Sequence, residues 1–388
     1  MPRVMISCGE PSGDLYAGAL AAALHRQQPD LDIVGFGGPR LAAAGGRLLG
    51  SYEGLAVTGL SEVLRTLPRT WRMYKHLVAE AERLRPDVFV AIDYADFNFR
   101  LGQALHARGI PVVYYIGPQL WAWRPGRMQV IKRFADRVLV IFPFEQTLYE
   151  KAGVPVEFVG HPLIDLIDDH LPKATLLTQH GLSQASRTIA ILPGSRHNEV
   201  ATTLPILLDA CAQLREAEPD LQFLVARAPG LPDDLFEPIR RHHLPAGVHQ
   251  GDTDAVLAAS DVVLTASGTA TVQTALHGKP MVIVYRLSPL TYALGRPFVK
   301  VDTFGMVNLI AGSRVVPELI QDDFTADRVC AEALRFLRDT VHADDVRSRL
   351  AGVVDALGGP GASDRAALAV RRAMTPGRSG GTIDPPSS

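Results

Sequence analysis

Thr188-Ile189-Ala190-Ile191-Leu192-Pro193-Gly194-Ser195-Arg196-His197-Asn198-Glu199 passes from an unbroken apolar run through a proline–glycine turn into polar, helix-forming residues. An apolar run without alternation reads as a strand buried on both faces, and a strand that leads at once into a helix is half of a βαβ unit. The same pattern recurs outward in both directions. Downstream, strands are expected at Gln222–Ala226, Val262–Thr265 and Met281–Val284, with helices at Glu199–Glu216, Asp254–Ala259 and Thr269–His277. Upstream, the strands are Val4–Cys8, Ile33–Gly37, Val88–Ile92, Val112–Ile116, Arg137–Ile141 and Val156–Val159. Between them lie helical patterns at Asp14–Arg26, Leu60–Leu84, Asn98–Arg108, Gly126–Arg133 and Phe144–Ala152. Such alternation predicts an α/β fold made of two Rossmann-like, doubly wound parallel sheets, with a ligand cleft where their carboxyl ends face.

At 388 residues the chain exceeds one ordinary core, which also argues for two domains. The join falls in Pro162–Ser186, with a helix expected around Leu163–His170. This gives an N-terminal domain over 1–165 and a C-terminal one over 166–338. Residues 339–374 then form a helical segment, and the Pro/Gly/Ser-rich Thr375–Ser388 tail reads as disordered. A net charge of −2 gives no basic footprint for nucleic acid. Three scattered cysteines, Cys8, Cys211 and Cys330, make neither a disulfide framework nor a CxxC pair and fit a reducing compartment. The opening residues read as an immediate strand whose apolar run is too short for a signal peptide. No stretch approaches the roughly 18 apolar residues of a spanning helix.

Two loops of the second half have the makings of a phosphate site. In the first, Gly194 lets backbone approach a ligand, Ser195 offers a hydroxyl, and Arg196 can fork onto phosphate oxygens. In the second, Ser267-Gly268-Thr269 follows a buried strand and opens a helix, whose free N–H groups and positive dipole end favour an anion. Together they can embrace a diphosphate without a metal. The triplet Asp252-Thr253-Asp254 invites a metal reading, yet Asp254 stands where the Ala255–Ala259 helix needs an N-cap. His161, His197 and His277 lack metal-ligand spacing and read as structural.

The first half offers other chemistry. Gly9-Glu10-Pro11-Ser12-Gly13-Asp14 suits either a ligand at a helix start or a plain tight turn, but it is not G-x-G-x-x-G. Asp93 and Asp96 end a buried strand. Capping the next helix suits Asp96 better, which leaves Asp93, the less solvated of the two, as the candidate general base, with Glu10 in reserve. The segment Val63–Lys75 interleaves Leu64, Leu67, Trp71 and Tyr74 with Arg65, Arg69, Arg72 and Lys75. It reads as a helix with one buried stripe or as a basic, aromatic face for an anionic bilayer. Tyr292–Lys300 carries the same ambiguity.

These motifs, in this order, resemble one family, the lipid-A-disaccharide synthases. The resemblance runs through GEPSGDLYAG, GFGGPRL, AVTGLSEVL, PDVFVAIDYADFN and YYIGPQLWAWRPGR, then FPFEQTLYEKAGVPVEFVGHPLID, LPGSRHNEV, ASGTATVQTALHGKPMVIVYR and VNLIAG. It leaves out the linker after Asp165, the stretch around Ala228–His249 and the tail. It implies a GT-B fold and an inverting hexosyl transfer needing no metal and no cofactor. UDP-2,3-diacylglucosamine would be the donor and 2,3-diacylglucosamine 1-phosphate the acceptor, giving a β-1,6-linked disaccharide 1-phosphate and UDP. By the same resemblance Asp93 is the base for the acceptor 6-hydroxyl, and Arg196 neutralises the leaving diphosphate. Ser195, Ser267, Gly268, Thr269, Gln273, Arg286 and Asn308 would line the UDP site, while Glu10, Ser12, Gly13 and Asp14 would stand on the acceptor side. Leu64, Leu67, Arg69, Trp71, Arg72, Tyr74 and Lys75 match a membrane-associating region, which implies a peripheral enzyme at the inner face of the cytoplasmic membrane. Residues 339–374 would pack back across the domains or form a homodimer contact.

Two departures stand out: Gln273 replaces a glutamate usual in the helix after SGTA, and Tyr94-Ala95 replaces a small residue and proline. The rival readings are another GT-B enzyme acting on UDP-N-acetylglucosamine (a 2-epimerase or a transferase to peptidoglycan precursors) and a non-catalytic nucleotide-sugar-binding protein. A Rossmann oxidoreductase lacks its fingerprint here.

Overall fold

The computed structural model of the chain describes residues 1–53, 60–117, 127–167, 170–286, 303 and 305–374, the side chains of 60–66 excepted. The 292–300 segment and the 375–388 tail fall outside these residues.

The first unit holds β1 (Arg3–Ser7), β2 (Asp32–Gly37), β3 (Arg47–Ser51), β4 (Val88–Ile92), β5 (Val112–Tyr115), β6 (Arg137–Val140) and β7 (Val156–Phe158). They form one sheet in the order β3-β2-β1-β4-β5-β6-β7, every pair parallel. The second unit holds β8 (Thr188–Leu192), β9 (Gln222–Arg227), β10 (Ala246–Gln250), β11 (Val262–Ala266), β12 (Met281–Tyr285) and β13 (Glu318–Ile320). Its order, β10-β9-β8-β11-β12-β13, repeats the same winding, again all parallel. β4, β8 and β11 are buried along their whole length, as helices on both faces of a parallel sheet require.

The strands that sequence reading missed are β3, β10 and β13, and each lies at a sheet edge. An edge strand has one free hydrogen-bonding side and less apolar cover. β3 accordingly reads RLLGS with no buried residue, and no hydrophobic run marks it. Where a helix is expected around Leu163–His170, Pro162–Leu166 is a 3-10 turn, and 168–169 lie outside the described residues.

The contact units divide the chain at Pro162/Leu163 and again at Pro360/Gly361, with the segment from Gly361 belonging to the first unit. The 339–374 segment therefore divides. Its helix Thr340–Ala356 packs within the second unit, against the helices Thr269–Leu276, Met306–Ala311 and Ala326–Arg338. Its last helix, Ala362–Met374, packs on α1 (Pro11–Gln27) of the first unit through a buried stripe that includes Ala366, Ala367, Ala369 and Val370. Arg26 pairs with Asp364 at 2.8 Å, and Gln27 donates to the Asp364 carbonyl at 2.9 Å.

Candidate active site

In a doubly wound sheet, the strand order reverses direction between the first strand and the one on its other side. The two loops leaving their carboxyl ends diverge there and leave a crevice. The reversal falls between β1 and β4 in the first sheet and between β8 and β11 in the second. The candidate loops from the sequence are the loops that leave these four strands.

In the second unit, Thr265 of β11 stands level with Leu192 of β8, so the two loops emerge side by side. A pocket of about 220 Å³ opens between them, lined by Gly194, Ser195, Glu199, Ser267, Gly268, Thr269, Thr253 and Gln273 among others. Two helices start at this pocket, His197–Ala217 and Thr269–Leu276, and neither has a side-chain N-cap. Their first-turn N–H groups and dipoles thus favour an anion in the pocket. Gly268 precedes the second helix at φ 146°, a conformation that excludes a side chain.

Glu199 was missed in the sequence, where its place four residues after Ser195 read only as helix. Its carboxylate folds back to accept the Ser195 N–H at 3.1 Å and so shapes the Gly194 turn. Burial raises its pKa, opposed by the Ser195 N–H and the Arg196 charge. A Cβ on Gly194 would come within 2.4 Å of the Glu199 side chain and displace it, and its φ of 127° is a conformation that favours glycine. Arg196 is the exposed N-cap residue of the His197–Ala217 helix. Among the described residues, the pocket wall itself includes neither Arg196, Arg286 nor Asn308.

Several expectations need correcting. Asp252, not Asp254, caps the Thr253–Ala259 helix, accepting the Ala255 N–H at 2.9 Å. Asp254, one turn inside, instead pairs with His277 at 2.9 Å. The Asn308 side chain does not line the pocket. It is fully buried, donates to Val316 O and Glu318 Oε1 at 2.9 and 2.6 Å, and accepts from the Val315 and Val316 N–H groups at 2.7 and 3.0 Å. Arg286 donates to the carbonyls of Gln321 and Phe324 at 2.9 and 2.7 Å and lies over the Phe324 ring. We expect Asn308→Ala to cost on the order of 3 kcal/mol, because several buried polar groups lose partners at once. Thermal unfolding should show the loss, while the folded variant binds UDP as before; weakened UDP binding without loss of stability would return Asn308 to the site.

In the first unit, Asp93 follows β4 and is half-buried, while the Asp96 side chain is 85% exposed and pairs with Arg127. Asp93 and Tyr94 adopt consecutive left-handed conformations, φ 47° and 48°, which non-glycine residues hold only when their surroundings enforce it. Asn98 supplies that enforcement and was missed as a functional residue. Fully buried, it donates to the carbonyls of Ser7, Ile92 and Asp93 at 3.2, 3.1 and 2.8 Å and accepts from the Ser7 hydroxyl at 2.7 Å. It thereby ties the end of β1 to the turn after β4. Tyr114 adds a hydrogen bond to the Asp93 carbonyl at 2.9 Å, its own pKa raised first by burial and then by the Asp93 charge.

The Tyr94 ring lies over Gly9, where a Cβ would meet it at 2.2 Å. Glu10 is the N-cap residue of α1, its charge close enough to raise the Tyr94 pKa after burial has done so. Ser12 is half-buried and Gly13 buried against Cys8. Asp14 departs from the expectation of an acceptor-side group. It is buried and accepts the N–H groups of Gly38, Arg40 and Leu41 at 2.8–3.1 Å, capping α2 (Pro39–Ala43) from a distance. Burial, then the charges of Asp14 and Asp93, pushes the Cys8 thiol up, so it is no nucleophile.

The amphipathic segment forms α3 (Leu60–Leu84), on which Leu67 and Trp71 are 52% and 49% exposed. Tyr74 stacks on Trp71 with ring centroids 5.0 Å apart, and Lys75 lies over the Trp71 ring at 5.5 Å. Arg69 and Arg72 are exposed; the Leu64 side chain lies outside the described residues. Among the described residues no helix is long and apolar enough to cross a membrane.

Known proteins fit this architecture. The family described as lipid-A-disaccharide synthetase matches residues 4–369. The chain is 43% identical to the lipid-A-disaccharide synthase of Geobacter sulfurreducens, over 94% of its own length and 95% of that protein's. It is 40% identical to that of Myxococcus xanthus, over 97% and 99%. Among solved structures it resembles the UDP-GlcNAc 2-epimerase of Neisseria meningitidis bound to UDP-GlcNAc, with TM-score 0.67, 12% identity and coverage of 96% and 100%. It also resembles the glycosyltransferase of kitacinnamycin, with TM-score 0.63, 18% identity and coverage of 97% and 100%. The fold is GT-B, and the chain belongs to the lipid-A-disaccharide synthase family, making it a hexosyltransferase of lipid A biosynthesis.

Proposed function

We propose that the protein condenses UDP-2,3-diacylglucosamine with 2,3-diacylglucosamine 1-phosphate to give the β-1,6-linked disaccharide 1-phosphate and UDP. The acceptor O6 attacks the donor anomeric carbon, the bond from that carbon to the diphosphate oxygen breaks, and the O6 proton passes to Asp93. Negative charge grows on the departing diphosphate. The starts of the His197–Ala217 and Thr269–Leu276 helices, with Arg196 beside them, are suited to stabilise it. The observation that carries this reading is the pocket shared by two uncapped helix starts at the strand-order reversal of the second sheet. Ser195, Ser267, Gly268, Thr269 and Gln273 line that pocket and would hold UDP.

The acyl chains place the substrates in a bilayer. The exposed Leu67 and Trp71 of α3, flanked by Arg69, Arg72 and Lys75, suit a peripheral position on an anionic membrane surface.

Incubation with both acylated glucosamines, followed by mass analysis, tests the proposal. A disaccharide monophosphate formed together with UDP is the expected product. Release of UDP without a disaccharide, or epimerisation of UDP-N-acetylglucosamine in place of transfer, would overturn it.

A further inference from the structure

The pocket of the second unit suits an anion, yet its wall holds a carboxylate. Among the described residues lining it, Glu199 alone has an ionisable side chain; the others are apolar or neutral. Glu199 is the third residue of the His197–Ala217 helix, a position from which a glutamate reaches back over the helix start. Its Oε2 accepts the Ser195 N–H at 3.1 Å, and the Arg196 N–H bonds it as well. The carboxylate thus takes donors that a phosphate oxygen would otherwise bond. The titratable groups around it are Arg196, from its own turn, and Tyr285, at the end of β12, kept neutral by burial and then by the Glu199 charge. Asp254 and His277 pair with each other behind Gln273.

A negative charge ~5 Å from a partly buried carboxylate shifts its proton equilibrium toward the acid by on the order of a hundredfold. A diphosphate brings more than one such charge, and burial of Glu199 acts in the same direction. We propose that Glu199 is a proton-coupled positioning residue: ionised, it shapes the Gly194 turn, and it takes up a proton from solvent when a diphosphate enters, so that its O–H donates to a phosphate oxygen. The proton returns to solvent when the nucleotide leaves. Product UDP, with its terminal phosphate freed, bears more negative charge than the sugar-linked donor, so an ionised Glu199 weakens product binding more and favours release. The inference rests on the nucleotide reading above.

Calorimetry of UDP binding at pH 8, in Tris and in HEPES, counts the protons through the different protonation enthalpies of the two buffers. At this pH the terminal phosphate of UDP is already ionised and histidines are neutral, so uptake belongs to the pocket. The wild type should take up about half a proton or more, and its UDP affinity should fall about fivefold from pH 7.5 to pH 9, since binding needs a proton that is scarcer at high pH. Glu199→Gln keeps an acceptor for the Ser195 N–H and has no proton to gain. It should bind UDP with an uptake below about a tenth of a proton and with an affinity flat over the same range. Glu199→Ala should give the same proton count and serves if the glutamine variant does not fold. No uptake by the wild type, or uptake that persists in either variant, would overturn the inference while leaving the nucleotide site intact. A folded Glu199→Gln that binds no UDP would overturn it too, because the neutral side chain is the form that the diphosphate selects. Failure of the wild type to bind UDP at all would overturn the nucleotide reading, and the inference with it.

Discussion

Asp93→Asn is expected to lower turnover by about 10²- to 10⁴-fold, the contribution of a positioned general base, while UDP affinity remains near that of wild type. The substitution isolates the proton-accepting role for a structural reason. Asp93 holds φ 47°, and asparagine is among the few residues that tolerate this region without added strain. The turn is anchored through the Asp93 carbonyl, by Asn98 and Tyr114, and those bonds survive a change of side chain. UDP binding should persist because every described residue that lines the Ser195–Gly268 pocket belongs to the second unit. Near-normal turnover in Asp93→Asn would remove the base assignment. Lost UDP binding would point to a broader disturbance than proton transfer.

Arg196→Ala should cost about 2–4 kcal/mol of transition-state stabilisation, or roughly 30- to 1,000-fold in kcat/KM. Arg196 is exposed at the start of its helix, so its removal should leave the fold stable. Its charge nevertheless acts on Glu199, which lines the pocket, and on Tyr285 at the end of β12. A cation beside a site of developing negative charge helps the transition state more than the ground state, so kcat should fall more than KM rises. Arg196→Lys should recover only part of the rate, since an ammonium keeps the charge but loses the guanidinium fork. Single-turnover rates equal to wild type in Arg196→Ala would end the assignment.

The alternation of unbroken apolar strands with helices was enough to anticipate two parallel sheets, because a strand covered on both faces needs a run such as Val88–Ile92 or Thr188–Leu192. β3, β10 and β13, at sheet edges, carry a weaker signature and went unseen, while the edge strand β7 was anticipated. Pocket loops announce themselves in sequence through glycine and a following helix, and Ser195, Gly268 and Thr269 were found that way, whereas Gln273 came only from the family resemblance. What a short polar side chain is bonded to is not written locally. Asp14 reaches residues 24 to 27 positions away, Asn98 reaches Ser7 across two strands, and Asn308 closes on Val315 to Glu318. Each reads in sequence as a site residue or a helix start, yet each proves to be a brace. Asp252 and Asp254 illustrate the limit most sharply, since two positions decide which carboxylate caps the helix and which meets His277.

The helix Ala362–Met374 carries a practical consequence for anyone dissecting the enzyme. A fragment ending at Pro162 has every strand of the first sheet but strips α1 of the small-residue surface that covers it. Such a fragment should clump or misfold on expression. Grafting 361–374 behind residue 162 through a flexible spacer would give that half its missing lid back, and the second half is the more natural candidate for excision as one continuous piece.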